Sequence, residues 1–276
     1  MMGNDLALID TLLHQLSTTF KIRDLGTPNF FLGIETVPSG DSLVLSQRRY
    51  MKDILTRSGA LQYLTITWPD LSYSVNRLCQ FMHSPTDDHW ALLKRVLRYI
   101  KGTQDYGLHL SASSASDLHA YTDSDWAGFP VDRKSTSGYA VFLGDNLVSW
   151  VSRKQRTVAR SSTKAEYKGL ADVSTEVTWI ISLLRELGLH SGSPATLWCD
   201  NLWATYLAAN PVFHARTKHV EIDYHFVRDK VASGDFIVSF VSTKDQLADI
   251  FTKPLPAPRF QALRDKLNEI FVVAFL

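Results

Sequence analysis

The chain has 276 residues, 45% of them apolar, enough to bury one large core or two smaller ones, and its length favours two domains. Lys and Arg total 29 against 28 Asp and Glu, so the net charge of +1 gives no global attraction to nucleic acid, and any such binding has to come from local patches. The cysteines, Cys79 and Cys199, are far apart and form no Cys-x-x-Cys pair, which argues against a disulfide framework or a cysteine zinc site and fits a reducing, intracellular setting, cytoplasmic or nuclear. No apolar run approaches the roughly 18 residues that span a bilayer, and the N-terminus lacks a signal-peptide layout, so no membrane partner is expected.

Leu6, Ile9, Leu12, Leu13, Leu16 and Phe20 repeat with a helical period, predicting a helix over 4–21. Phe30 to Val37, the turn residues Pro38-Ser39-Gly40-Asp41, and Leu43 to Leu45 predict a β-hairpin. A helical pattern resumes over 48–57, and two helices are expected between Trp68 and Ile100, broken near Ser84-Pro85. The serine-rich stretch from Leu110 to Leu118 reads as a linker, which places a domain boundary between residues 110 and 111. Beyond it, strands are expected over 119–125, 138–143 and 147–151, then a long amphipathic helix over 166–187. A fourth strand over 196–199, helices over 202–209 and 219–231, a fifth strand over 236–240 and a last helix over 246–251 complete the order βββαβααβα. The apolar end, Phe271 to Leu276, reads as a closing strand or as frayed sequence, with no function assigned.

Acidic residues fall at the ends of these elements: Asp123 in the first strand of the second half, Glu166 opening the long helix, Asp200 just after the fourth strand and Asp249 on the last helix. Adjacent strands lie about 4.8 Å apart and ligands gather at strand carboxyl ends, so the spacing permits these acids to converge. Converged carboxylates repel one another unless cations intervene, and hard oxygen ligands suit Mg²⁺. Asp125, two residues on from Asp123 and so on the same strand face, is a competing ligand.

The strings AYTDSDWAG at 120–128, RKSTSGY at 133–139, SWVSRKQRTVARSSTKAEY at 149–167, LWCDN at 197–201 and QLADIFTKPL at 246–255 together resemble the ribonuclease H domain of copia-type retrotransposon Pol polyproteins. The resemblance implies an α/β fold, a five-stranded mixed sheet with helices on both faces, over residues 111–270. It also implies an Asp-Glu-Asp-Asp site at Asp123, Glu166, Asp200 and Asp249 holding two Mg²⁺ ions, with Mn²⁺ as a substitute. The implied reaction is hydrolysis of RNA in an RNA/DNA hybrid, with the rest of a Pol polyprotein as partner. Residues 43–59 and 60–78 resemble the late palm and the connection of the reverse transcriptase, making 1–110 a truncated α/β remnant. Its Tyr-x-Asp-Asp motif is absent, since the Asp87-Asp88 pair has Pro85 where the tyrosine belongs, so polymerase activity is not expected. Gly59-Ala60-Leu61 joins segments that the family separates by some tens of residues, as a deletion or a gene-model splice would. The alternative to an enzyme is a non-catalytic relic that at most binds nucleic acid.

Between 149 and 168, Arg153, Lys154, Arg156, Arg160, Lys164 and Lys168 face a single acid, Glu166. The stretch is either a solvated face or a phosphate-binding patch; the latter is preferred, because an enzyme indifferent to sequence must grip backbone phosphates. Ser161, Ser162 and Thr163 are candidate caps for the helix carrying Glu166, or phosphate contacts. His214, His219 and His225 lack zinc-site spacing. Arg216, Lys218 and His219 are candidates to approach the scissile phosphate, with His219 helping to protonate the leaving group or release product by analogy with a histidine that some ribonucleases H use; the alternative is a surface or helix-capping role. Trp126, Trp150, Trp179 and Trp198 are expected in the core, and Lys94, Arg95, Arg98 and Lys101 form a basic helical stripe that either tracks template or is simply solvated.

Overall fold

A computed structural model describes residues 14, 30–31, 34–39, 42–47, 61–112, 115, 117–189, 192–209 and 221–271. The expected helices over 4–21 and 48–57, with the junction at 59–61 up to residue 60, lie outside the described residues except for His14.

The front of the chain supplies strands β1 (Phe30–Phe31), β2 (Ile34–Ser39), β3 (Ser42–Ser46) and β4 (Tyr106–Ser111). The predicted hairpin is β2 and β3, which pair antiparallel from Glu35↔Ser46 to Ser39↔Ser42. The two expected helices are α1 (Ser72–Cys79) and α2 (Asp87–Gly102), separated at Ser84-Pro85. Thr86 caps α2 reciprocally with His89, whose Nδ1 accepts from the Thr86 amide at 3.0 Å. Leu64, Trp68, Leu71, Val75, Val96 and Ile100 form the core beneath these helices. Strand β4 runs into the start of the serine-rich stretch. It also pairs with β10 (Glu269–Phe271), the last described strand, so chain from both ends of the molecule shares one sheet, ordered β1-β2-β3-β4-β10.

The second sheet is built from β5 (Leu118–Asp125), β6 (Thr136–Leu143), β7 (Asn146–Lys154), β8 (Ala195–Cys199) and β9 (Phe236–Phe240). Its order is β7-β6-β5-β8-β9, with β5–β6 and β6–β7 antiparallel and β5–β8 and β8–β9 parallel. Parallel pairing needs a crossover, and α3 (Ser162–Glu186) provides the one between β7 and β8. Helices α4 (Leu202–Ala209) and α5 (Glu221–Ala232) connect β8 to β9 and pack with α3 on one face. The other face is covered by a 3-10 turn (Leu247–Phe251) and by α6 (Ala257–Lys266), whose Leu263 joins Ala140, Phe142, Leu147 and Phe251 in a separate core. This five-stranded mixed sheet with helices on both faces is the ribonuclease H architecture.

Three local expectations change. The helix over 246–251 is a 3-10 turn, because Gln246 caps it through the Ala248 amide at 3.1 Å and Thr252 ends it within a few residues. Helix α6, begun at a proline-rich N-terminus, was not anticipated. The tryptophans do not all enter the core: Trp126 is 54% and Trp179 60% exposed, while Trp150 is partly buried and donates to the Thr65 carbonyl at 2.7 Å. Trp126 stands on the turn after β5, where its indole N–H reaches the Ala159 carbonyl at 3.0 Å instead of packing inward. Trp179 lies on the solvent side of α3, opposite the stripe of Val173, Val177 and Ile180.

Candidate metal centre

Asp123 and Asp200 meet because β5 and β8 are parallel neighbours. Thr122 pairs with Cys199, so the next residues, Asp123 within β5 and Asp200 just after β8, stand side by side toward the carboxyl end of the parallel pair. Asp249 arrives from the 3-10 turn, which is pinned to β5 by the Gln246 side-chain amide donating to the Thr122 carbonyl at 2.9 Å. One ligand oxygen from each of Asp123, Asp200 and Asp249 lies within 4.8 Å of the others. Asp123 and Asp249 are buried and Asp200 is half-buried.

Glu166 comes from near the start of α3, just past its first turn. Ser161 caps that helix by accepting from the Lys164 amide at 3.3 Å, so of the candidate caps it is Ser161 that acts. Glu166 is buried and its Oε1 accepts from the Ser124 amide at 3.3 Å, but Oε2 has no hydrogen-bond partner. It stands beside the three-aspartate group without sharing that group's mutual 4.8 Å spacing.

Two glycines let the acid-bearing elements approach the sheet. A Cβ on Gly169 of α3 would meet Ser124 Oγ at 2.8 Å and Thr122 Oγ1 at 3.0 Å. On Gly138 of β6 it would meet Phe251 Cβ at 2.4 Å and Thr252 Cγ2 at 3.0 Å. A side chain at either position would hold Glu166 or Asp249 away from Asp123.

The cluster carries excess negative charge. Burial raises the Asp123 carboxyl, Lys253 and Thr252 oppose that rise, and Asp249 and Asp200 add to it. Glu166 is raised well above the usual carboxylate range by burial, then by Asp123 and Asp200. Asp200 is raised by burial, with Lys253 opposing and Asp249 reinforcing. Burial works against the Lys253 ammonium, but Asp123 and Asp249 more than offset it and raise its pKa. Carboxylates crowded in this way, with the buried Glu166 Oε2 lacking any donor, are a donor set suited to hard divalent cations.

Lys253 lies inside the string QLADIFTKPL with no role expected of it, and Arg259 lies outside every family string. Lys253 Nζ lies 2.7 Å from Asp249 Oδ1 and 3.3 Å from Asp123 Oδ2. Arg259 donates to Asp249 Oδ2 at 2.8 Å and to the carbonyls of Thr243 and Lys244 at 2.6 and 2.9 Å, tying the turn to the loop after β9. Thr252 Oγ1 donates to Asp123 Oδ2. For Lys253 the available signal was its place one helical turn after Asp249.

Asp125 does not compete. Its carboxylate accepts from the Thr136 amide and is absent from the three-aspartate group. Burial pushes it up to about 6, with the Thr136 bond opposing.

Of the predicted basic residues, Arg153 pairs with Asp172 at 3.2 Å, and Lys154 pairs with Asp132 at 2.9 Å while lying over the Phe129 ring. Arg156 and Arg160 are exposed and Lys164 half-buried, and none of the three makes an ion pair among the described residues. They flank a loop held over the end of β5 by the Trp126–Ala159 bond and by Gln155, which donates to Ser137 Oγ at 2.7 Å and the Ala165 carbonyl at 2.9 Å. Arg216, His219 and His214 lie outside the described residues.

The front of the chain touches this region. Asn76 of α1 donates to the Ser152 carbonyl at 2.8 Å, and Ser152 Oγ donates to the Phe251 carbonyl at 2.6 Å, in the turn that bears Asp249. Asn146 and Ser111 exchange bonds of 2.8 and 2.9 Å between β7 and β4.

No family model matches the sequence. The chain is 47% identical to the retrovirus-related Pol polyprotein of transposon RE2 from Arabidopsis thaliana, an alignment covering 98% of this chain and 21% of the polyprotein. It is 31% identical to the corresponding polyprotein of transposon TNT 1-94 from Nicotiana tabacum, over 96% of this chain and 23% of that one. An uncharacterised mitochondrial protein of A. thaliana is 42% identical over 64% of this chain and 88% of its own length. Among solved structures, the N-terminal ribonuclease H domain of a Mycobacterium tuberculosis protein matches at 12% identity, 55% of this chain, 98% of that domain and a TM-score of 0.39. The foamy viral protease-reverse transcriptase in complex with dsDNA matches at 14% identity, 88% of this chain, 52% of that one and a TM-score of 0.46. These scores are low, and the architecture rests on the strand order itself. Fold and acid cluster together define a ribonuclease H-like domain. The chain is a homologue of the Pol polyproteins of copia-type transposons over nearly its whole length, and it spans about a fifth of the length of the RE2 and RE1 polyproteins.

Proposed function

We propose that this chain hydrolyses the RNA strand of RNA/DNA hybrids in a metal-dependent reaction, as the ribonuclease H portion of a retrotransposon Pol polyprotein. The observation that carries this reading is the meeting of Asp123, Asp200 and Asp249 within 4.8 Å, beside a buried Glu166 oxygen that has no donor. These four residues would hold two Mg²⁺ ions, for which Mn²⁺ can substitute. Bound there, the ions supply a polarised water and neutralise charge at the leaving oxygen of the phosphodiester.

The chain's own residues do the rest. Gln246, Gly138 and Arg259 fix the turn that presents Asp249, and the Ser161 cap and Gly169 fix Glu166. Arg156, Arg160 and Lys164, which make no ion pair among the described residues, hold backbone phosphates of the hybrid, which gives affinity without sequence preference. Arg153 and Lys154, already paired with Asp172 and Asp132, contribute less. Residues 111–270 form the nuclease unit, and residues 1–110, derived from a reverse transcriptase, brace it through α1 and β4. By the family resemblance Arg216 and His219, which lie outside the described residues, would contact the substrate.

Asp200→Asn tests the reading: the amide keeps the shape but removes the charge, so the variant should fold as the wild type does, lose cleavage, and lose the rise in melting temperature that millimolar Mg²⁺ gives the wild type. Full cleavage by Asp200→Asn would refute the site. A folded wild-type chain that neither gains stability from metal nor cuts would be a non-catalytic relic.

A further inference from the structure

The acid cluster already contains a cation of its own. Lys253 Nζ lies between Asp249 Oδ1 at 2.7 Å and Asp123 Oδ2 at 3.3 Å, the inward oxygens of acids from two different elements. Arg259 takes the other oxygen of Asp249, and Thr252 donates to the same Asp123 oxygen that Lys253 faces. Glu166 Oε2 remains without a donor, so the side chain has not saturated the cluster. An ammonium at these oxygens and a divalent ion held by the same acids would compete for ligands, and two cations that close repel.

We infer that Lys253 is a resident counter-cation that holds Asp123 and Asp249 together in the metal-free chain and has to withdraw before a divalent ion bridges them. Lys253 is thus a positioning residue that keeps the apo site assembled and sets the metal concentration at which it loads. The side chain is half-buried and reaches the cluster from the edge, so it can swing outward without unfolding the turn. The inference rests on the proposed metal site.

The test uses Mn²⁺ binding, followed by the electron paramagnetic resonance signal of the free ion, in the full wild-type chain and in Lys253→Met. Removing the competing ammonium should tighten Mn²⁺ by about tenfold, corresponding to about 1.4 kcal/mol, while the metal-free variant melts at a lower temperature than the wild type. Equal or weaker binding by Lys253→Met would overturn the inference and leave the metal site standing. Absence of Mn²⁺ binding by both proteins would overturn both. Because Lys253→Met leaves the acids less neutralised and can fail to fold, a second measurement uses the wild type alone. Reductive methylation of Lys253, read by mass spectrometry against the exposed Lys101, should be slow without metal and accelerate several-fold when Mn²⁺ is added. A rate unchanged by Mn²⁺ would refute the withdrawal.

Discussion

Gly138→Ala isolates the packing that sets Asp249 against the sheet. The new methyl group would stand 2.4 Å from Phe251 Cβ, far inside van der Waals contact, and Phe251 Cβ is so close to the backbone that no rotamer change relieves it. The 3-10 turn itself must lift by about 1 Å, an overpacking that costs about 1–3 kcal/mol. For a chain of this size that corresponds to a drop in melting temperature of about 2–10 °C. Lifting the turn also carries Asp249 away from Asp123 and Asp200, and a misplacement of about 1 Å at a reacting centre lowers turnover by about 10²-fold. Melting by circular dichroism, with hybrid cleavage in parallel, reads both effects. Gly102→Ala is the matched control, because a Cβ there meets nothing within 4 Å, and it should leave cleavage unchanged and the melting temperature equal or slightly higher. If Gly138→Ala melts and cuts as the wild type does, the close approach of the turn to β6 is not what positions Asp249.

Other perturbations address separate links. Asp125 is pushed up to about 6, so between about pH 4 and 6 the folded chain binds more protons than the unfolded chain, and this residue's contribution to stability falls as pH rises through that window. Asp125→Asn keeps the acceptor for the Thr136 amide and should flatten that slope, raising stability at pH 7 by about 1 kcal/mol after allowance for solvent screening; an unchanged pH–stability profile would contradict it. Alanine at both Arg156 and Lys164 should weaken hybrid binding and reduce the slope of log affinity against log salt by about 1–2, and an unchanged slope would make the loop an ordinary surface. Asn76→Ala should cost about 1 kcal/mol by removing a bond to β7; an unchanged urea midpoint would show that α1 does not brace the nuclease unit.

The second sheet was legible because its strands alternate in burial or run apolar between clear turn residues. The parallel neighbours β5 and β8 then explain why acids nearly 80 positions apart in sequence, Asp123 and Asp200, come together. The turn bearing Asp249 was read as a helix, since its apolar run Leu247-Ala248-Asp249-Ile250-Phe251 suits either form and the choice depends on the Gln246 cap and on contact with Gly138. Gly138 and Gly169 gave no sequence signal, because a glycine that makes room for another element looks like any other until that element is in place. Lys253, although one helical turn after Asp249 and inside a family string, and Arg259 carried no sign of their role, because what each cation faces appears only when the acids are assembled. Trp126 and Trp179 show the reverse error, where side-chain size suggested burial and position on the element decided exposure.

The measurement that tests the central claim most directly is incubation of the purified chain in Mg²⁺ with an RNA/DNA hybrid labelled on the RNA strand, beside an RNA duplex and a DNA duplex of the same sequence. The account predicts metal-dependent cutting of the RNA strand in the hybrid and neither duplex cut. A folded chain that leaves the hybrid intact, or that cuts all three alike, would contradict it.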